Sequence, residues 1–344
     1  MRGTILTAML FLSAAFLPPT VAKADPSGRA SPTDRSPSPA GVAGVAAEPD
    51  RAAVIMRRIV DPDAGPVVVA HRGCHAPAAT MQVGSAAENS LTALEHCVAM
   101  RVDVMETDIR MTRDGHLVMI HDATVDRTTD GHGRVADLTL AELRALRLRD
   151  DLGGAEAGWA EDRIVTLDEM LGAAAGRIVL NLDIKDAVHA ETIAAVVAAG
   201  AEKRVLVKAN AGVGSPPLAS LPPFDRVPFL PMLLGGGDLP VTIGRQAGGV
   251  VRPIGYEVPR MPLAELPALV AAARRARGRV WANTLWDGYV AGVGGDGDAL
   301  LDPDRVWGTL IRGGVSMIQT DHPAELRSFI DRASSGEGRG TARP

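Results

Sequence analysis

A chain of 344 residues, 46% of them hydrophobic, is long enough to bury one large core or two small ones. Its formal net charge is −5 and it has no long basic tract, which leaves nucleic acid without an electrostatic footing. With 3% aromatic residues it also lacks a stacking platform for single strands.

The chain opens with Arg2, an apolar run from Ile5 to Leu17, and Ala22-Lys23-Ala24. A basic start, a short apolar stretch and a small-x-small site make up an export signal, so residues 1–24 read as a signal peptide and the protein as periplasmic or extracellular. The run is short for a bilayer span; a membrane anchor is the alternative. No later stretch is apolar enough to cross a membrane, so the mature protein is expected to have no stable membrane insertion. Residues 25–49 are rich in Pro, Ser, Gly and Ala without periodicity and read as a disordered linker; residues 334–344 read as a tail of the same kind. One domain, 50–333, remains. Its two cysteines, Cys74 and Cys97, permit one disulfide in an exported protein, or are two unpaired core residues.

Within the domain, apolar runs of strand length alternate with helical patterns. The strand candidates are 67–70, 102–108, 116–120, 178–184, 205–207, 229–233, 250–258, 280–283 and 317–320. Helical periodicity covers 90–100, with Asn89 or Ser90 as cap, then 140–146, 167–175, 190–199 and 263–277. Alternating β and α segments with buried strands imply a parallel sheet, and the size fits a TIM (β/α)8 barrel. Nine candidates for eight places leave one strand outside the barrel or wrong. An open doubly wound sheet is the alternative.

Polar residues collect at the C-terminal ends of these strands, the edge where such folds build sites. The first strand ends in His71-Arg72-Gly73, the second in Glu106-Thr107-Asp108, the third in His121-Asp122, and the fourth carries Asn181-Leu182-Asp183-Ile184-Lys185. Residues two apart on a strand share a face, so Glu106 and Asp108 point the same way, as do Asp183 and Lys185. Carboxylates crowded into a barrel call for a cation, and a hard divalent ion with oxygen ligands suits Glu106, Asp108 and Asp183. Two histidines beside such an ion, His71 and His121, suit phosphodiester cleavage, one taking a proton and the other giving one. Arg72 suits the phosphoryl oxygens. Trp281 and Asn283 end a later strand and are candidates for lining the pocket; core packing is the plainer reading for Trp281, Trp286, Tyr289 and Trp307. Gly292 to Gly297 matches GxGxxG but reads as a loop. The remaining histidines, His75 among them, read as surface or structural.

Taken in order, His71-Arg72-Gly73, Glu88-Asn89-Ser90, Glu106-Thr107-Asp108, Thr112-Arg113-Asp114-Gly115, His121-Asp122 and Asp126 to Gly131 resemble the glycerophosphodiester phosphodiesterase family. The resemblance implies a PLC-like phosphodiesterase barrel, a Ca²⁺ or Mg²⁺ cofactor, and hydrolysis of a small-molecule glycerophosphodiester to glycerol 3-phosphate and an alcohol. It implies catalytic roles for His71 and His121, and metal ligands at Glu106, Asp108 and Asp183. It also implies substrate-binding or site-shaping roles for Arg72, Glu88, Asn89 and Lys185. The chain departs from the family at Asp183, where Glu is usual, and in a longer stretch between Gly73 and Glu88 that is expected to form a lid. Asp183 with Lys185 is similar to the sphingomyelinase D branch, so a phospholipase D acting on sphingomyelin or lysophospholipids is the alternative activity. A non-catalytic binding protein on the same fold is the third reading.

Overall fold

A computed structural model describes residues 50–234 and 237–335. The expected signal peptide, the linker and the part of the tail beyond Ser335 lie outside these residues. Eleven strands are formed among them: β1 Val67–Ala70, β2 Val104–Met111, β3 Leu117–Met119, β4 Val179–Ile184, β5 Val205–Ala211, β6 Phe229–Leu233, β7 Gly255–Val258, β8 Met261–Pro262, β9 Arg279–Asn283, β10 Val290–Ala291 and β11 Met317–Thr320. Eight of these run parallel in the order β1-β11-β9-β7-β6-β5-β4-β2, and β1 pairs with β2 to close the barrel.

The helices are α1 Arg51–Val60, α2 Leu91–Ala99, α3 Leu140–Ala145, α4 Leu167–Ala174, α5 His189–Ala198, α6 Leu239–Gln246, α7 Leu266–Arg275, α8 Asp296–Leu301, α9 Thr309–Arg312 and α10 Pro323–Ser335. Local chemistry sets several starts. Ser90 Oγ accepts from the Ala93 N–H at 3.0 Å, and Thr139 with Glu142, and Thr166 with Glu169, make reciprocal capping boxes. Among the described residues no helix is long and apolar enough to cross a membrane.

The two-residue period of the strands divides the barrel interior into two zones. Toward the N-terminal end, Val67, Val69, Val104, Val179, Leu206, Leu230, Trp281 and Met317 form one apolar cluster with Ala52, Ile55, Met56 and Ile59 of α1. Helix α1 therefore stoppers that end. Arg279, fully buried, fastens it by donating to the carbonyls of Arg58, Ile59, Asp61 and Ser316. One step further along the strands the inward residues turn polar: Glu106, Asp108, Asp183, Lys208, Glu257, Asn283 and Gln319.

Several expectations are settled or corrected. The 116–120 segment is the strand outside the barrel: β3 folds back antiparallel on the extension of β2, pairing Ile109 with Met119. The 250–258 candidate is strand only from Gly255, and Val250 is 98% exposed. The GxGxxG segment does follow a strand, β10, and does open a helix, α8, but carboxylates of the protein occupy that start, the Gly295 N–H donating to Asp287 and Asp298, while the buried Asp296 side chain accepts from Thr284, Thr320 and the Asp321 N–H. The stretch after Gly73 is not a lid. Met81 at its tip packs down the barrel wall, lining a groove of about 800 Å³ with Val98, Met100, Arg327 and Asp331. Cys74 and Cys97 are bonded, tying the root of this stretch to α2, and Ser334 and Ser335 end α10 instead of starting the tail.

Candidate active site

The C-terminal mouth of the barrel gathers the strand-end residues. Arg72 and Asn89 both adopt left-handed backbone, with φ of 52° and 58°, and the Asn89 N–H donates to the Arg72 carbonyl at 2.8 Å. This kink turns the Arg72 N–H onto Glu106 Oε2 at 2.9 Å. The Arg72 guanidinium lies 3.0 Å from Glu88 and 3.6 Å from Asp108. Burial opposes its charge, but Glu88, Asp108 and Glu106 outweigh burial and raise its pKa. Its Nε is buried and has no hydrogen-bond partner among the described residues.

Glu106, Asp108 and Asp183 converge, one carboxylate oxygen of each lying within 4.8 Å of the others. Lys185 Nζ stands 3.0 Å from Asp108 and 2.8 Å from Asp183. Burial works against both aspartates, yet the neighbouring lysines hold each below the usual carboxylate range. Glu106 differs: burial first, then the Asp108 charge, push it up to about 7. Asp108 Oδ1, buried, has an ion-pair partner in Lys185 but, among the described residues, no hydrogen bond. Three hard oxygen donors with an unsatisfied lone pair suit a divalent metal.

The histidines are oriented by carboxylates. His71 Nδ1 bonds Asp321 Oδ1 at 2.8 Å, and His121 Nδ1 bonds Asp122 Oδ1 at 2.7 Å. Burial is the main cause of the lowered His121 pKa, although Asp108 pulls it up. Because β3 folds back on β2, His121 reaches the mouth from the side: the Ile120 N–H donates to the Asp108 carbonyl at 3.0 Å.

Four residues named as candidates for shaping or lining the site, Glu88, Asn89, Trp281 and Asn283, are engaged with other protein groups. Glu88 is committed to Arg72 and Arg127. Asn89 accepts from Thr107 Oγ1 and the Asp108 N–H and donates to Asp108 Oδ2, so it fixes that carboxylate. Trp281 is 0% exposed, beneath the polar zone, with Nε1 bonded to Asn283. Asn283 in turn donates to Glu257 at 3.1 Å. The exposed aromatic at the mouth is Trp286, edge-on to His71 at 6.2 Å and stacked on Tyr289.

Sequence reasoning missed Lys208, whose buried ammonium lies 3.3 Å from Asp183 and 3.2 Å from Glu257. It also missed Arg127, which clamps Glu88 and Asp122 together, and the pair His75 and Asp321. A lone lysine inside an apolar strand, Val205-Leu206-Val207-Lys208, was the available signal for the first.

Residues 71–211 match the family model described as the glycerophosphoryl diester phosphodiesterase family, and residues 242–330 match a domain of unknown function. A glycerophosphodiester phosphodiesterase of Caldanaerobacter subterraneus is 37% identical over 123 residues, 36% of this chain and 46% of that protein. The human glycerophosphodiester phosphodiesterase 1 is 36% identical over 133 residues, 36% of this chain and 35% of that protein. The chain thus spans less than half the length of these curated relatives. A solved glycerophosphoryl diester phosphodiesterase from Parabacteroides distasonis has a TM-score of 0.63 at 23% identity, covering 81% of this chain and 92% of that one. A phosphodiesterase from Oleispira antarctica in complex with the product sn-glycerol-3-phosphate has a TM-score of 0.53 at 21% identity, covering 78% and 97%. These two likenesses show the barrel fold.

Proposed function

Because the chain carries, over residues 71–211, a domain of the glycerophosphoryl diester phosphodiesterase family, we propose that it hydrolyses glycerophosphodiesters to glycerol 3-phosphate and an alcohol, with Ca²⁺ or Mg²⁺ as cofactor. The observation that carries this reading is the convergence of Glu106, Asp108 and Asp183 at the mouth where Arg72, next to His71, bonds Glu106 and where Ile120, next to His121, bonds the Asp108 carbonyl. A bound divalent ion would supply positive charge for the phosphoryl oxygens. Glu106, Asp108 and Asp183 would hold it. The unpartnered Arg72 Nε–H faces the same cluster and donates to a phosphoryl oxygen. His71 and His121, each fixed at Nδ1 by a carboxylate, keep Nε2 for the proton transfers: one takes a proton from the nucleophile, the other gives one to the leaving oxygen. Lys185 balances the carboxylates and lines the mouth.

The sphingomyelinase D alternative is not favoured. Its motive was Asp183 with Lys185, and the matching family and relatives are named for glycerophosphodiesters. The non-catalytic reading would fit an eroded site, whereas His71, Arg72, Glu106, Asp108 and His121 are all retained. Export remains part of the proposal, supported by the Cys74–Cys97 bond, which suits an oxidising compartment.

The test is release of glycerol 3-phosphate from glycerophosphocholine by the mature protein, with Ca²⁺ or Mg²⁺ and with EDTA. Metal-dependent release is expected. No release from glycerophosphocholine or from its ethanolamine and glycerol analogues overturns the reading.

A further inference from the structure

His75 is 1% exposed, and both of its ring nitrogens meet carboxylates: Nδ1 meets Asp151 Oδ1, and Nε2 meets Asp321 Oδ1 at 3.1 Å. A neutral imidazole has one N–H, so two carboxylate partners require the doubly protonated ring. Burial alone would push His75 down; the two aspartates outweigh it and raise it to about 9. A buried cation held between two carboxylates therefore sits behind Asp321.

The same oxygen, Asp321 Oδ1, accepts from His71 Nδ1 at 2.8 Å. Asp321 is fixed at its backbone by its N–H donating to Asp296 Oδ2 at 2.8 Å, but its side chain is anchored only by the two imidazoles among the described residues. A carboxylate aimed at His71 Nδ1 puts the proton there and leaves Nε2 as the free nitrogen. Without His75, Asp321 loses one of its two partners and, being partly exposed, gains freedom to turn toward water. His75 itself is locked from both sides: the disulfide at Cys74 precedes it, and its carbonyl accepts from the Ala86 N–H at 2.9 Å. Asp151, on the loop facing it, completes a row Asp151–His75–Asp321–His71.

We propose that His75 is a positioning residue, which through Asp321 keeps His71 in the Nδ1–H tautomer with Nε2 directed to the substrate. The proposal rests on the phosphodiesterase reading for its kinetic consequence and on geometry alone for its structural one. The plainer role for His75 is to tether the 74–87 stretch to the Asp151 loop, and that role would not touch His71.

The experiment compares the wild-type protein with His75→Ala, His75→Gln and Asp151→Asn, each checked for cooperative thermal unfolding. Two readouts are taken: kcat and KM with glycerophosphocholine, and the ¹⁵N NMR shifts of the His71 ring, assigned with His71→Gln. In His75→Ala, kcat is expected to fall about 10- to 100-fold with KM within about twofold, the size of loss typical of supporting partners. His75→Gln, which keeps one donor, recovers part of the loss, and Asp151→Asn shows a smaller fall in the same direction. The His71 nitrogens shift from a single Nδ1–H tautomer in the wild type to a mixture in His75→Ala. If His75→Ala does not fold, His75→Gln carries both readouts. An unchanged kcat in a folded variant, or a fall in kcat with the His71 tautomer unmoved, overturns the proposal. If the wild type turns over no glycerophosphodiester, the reaction assigned above fails, and the NMR arm still decides whether His75 positions His71.

Discussion

Asp108 on β2 and Asp183 on β4 are direct register partners, so two carboxylates face one another across neighbouring parallel strands. Like charges so placed repel. The chain answers with ammonium groups, Lys185 between the two and Lys208 behind Asp183. Both aspartates stay ionised, and the electrostatic cost falls on the third acid, Glu106. The cluster is thus two fixed charges and one group that titrates near neutrality.

Glu106→Gln should weaken binding of Ca²⁺ or Mg²⁺ by about tenfold or more, since it removes one hard anionic donor while leaving an oxygen to accept from the Arg72 N–H. Titration calorimetry reads the affinity, and excess metal should partly restore turnover. Wild-type affinity in the variant would remove Glu106 from the ligand set.

The pH dependence follows from the same group. Glu106 is raised from 4.5 to about 7 in the fold, so without metal the folded state keeps a proton that the unfolded state has lost. That contribution to stability is present below pH 4.5 and is lost as pH rises through about 7. Metal needs the carboxylate, so its affinity rises across the same window. The Tm increase on adding Mg²⁺ or Ca²⁺ should be larger near pH ~8 than near pH ~5.5. Glu106→Gln should flatten the difference, and an equal increase at both pH values in the wild type would contradict this account.

His121→Ala should lower kcat by about 10² to 10⁴-fold while leaving thermal unfolding nearly unchanged. The ring is partly exposed at the mouth and, among the described residues, has Asp122 as its one hydrogen-bond partner, so little packing is lost. Near-normal turnover in the variant would displace His121 from the chemistry.

Gly73→Ala should destabilise the fold by about 2 to 4 kcal/mol, measured as a lowered urea midpoint. Gly73 has φ +89°, and a Cβ there would meet Ala93 Cβ and Met105 Cε, each at 2.8 Å. Its neighbour Arg72 would shift as well, so turnover should fall with stability.

Reduction of Cys74–Cys97, or Cys97→Ser, should cost about 3 kcal/mol by freeing a loop of this length in the unfolded chain. The two residues are 23 apart in sequence. A Tm insensitive to reductant would show that the segment is fixed by its packing alone.

The strand ends were legible because a strand has a period of two and a barrel has one functional edge. His71, Glu106, Asp108 and Asp183 needed nothing more to be grouped. What the sequence hid were partnerships made by closure. His71 and Asp321 are separated by 250 residues and meet only because β1 pairs with β11. His75 sits in a stretch that has neither helical nor strand period, so nothing local tied it to an aspartate so far along the chain. Lys208 and Glu257 were hidden differently: Lys208 falls one residue past the run read as a strand at 205–207 and Glu257 within the run at 250–258, and only the register across β5, β6 and β7 turns both into the same cavity. The resemblance placed Glu88 and Asn89 as residues that shape the site, but their partners Arg72, Arg127 and Asp108 became visible only in the folded chain.

Helix α1 seals one end of the barrel, and Arg279 rivets it there by its carbonyl contacts. Among the described residues the polar zone of the barrel therefore opens at the C-terminal mouth alone. For the proposed hydrolysis, entry and exit share that one opening, so a product that stays at the mouth competes with the next substrate.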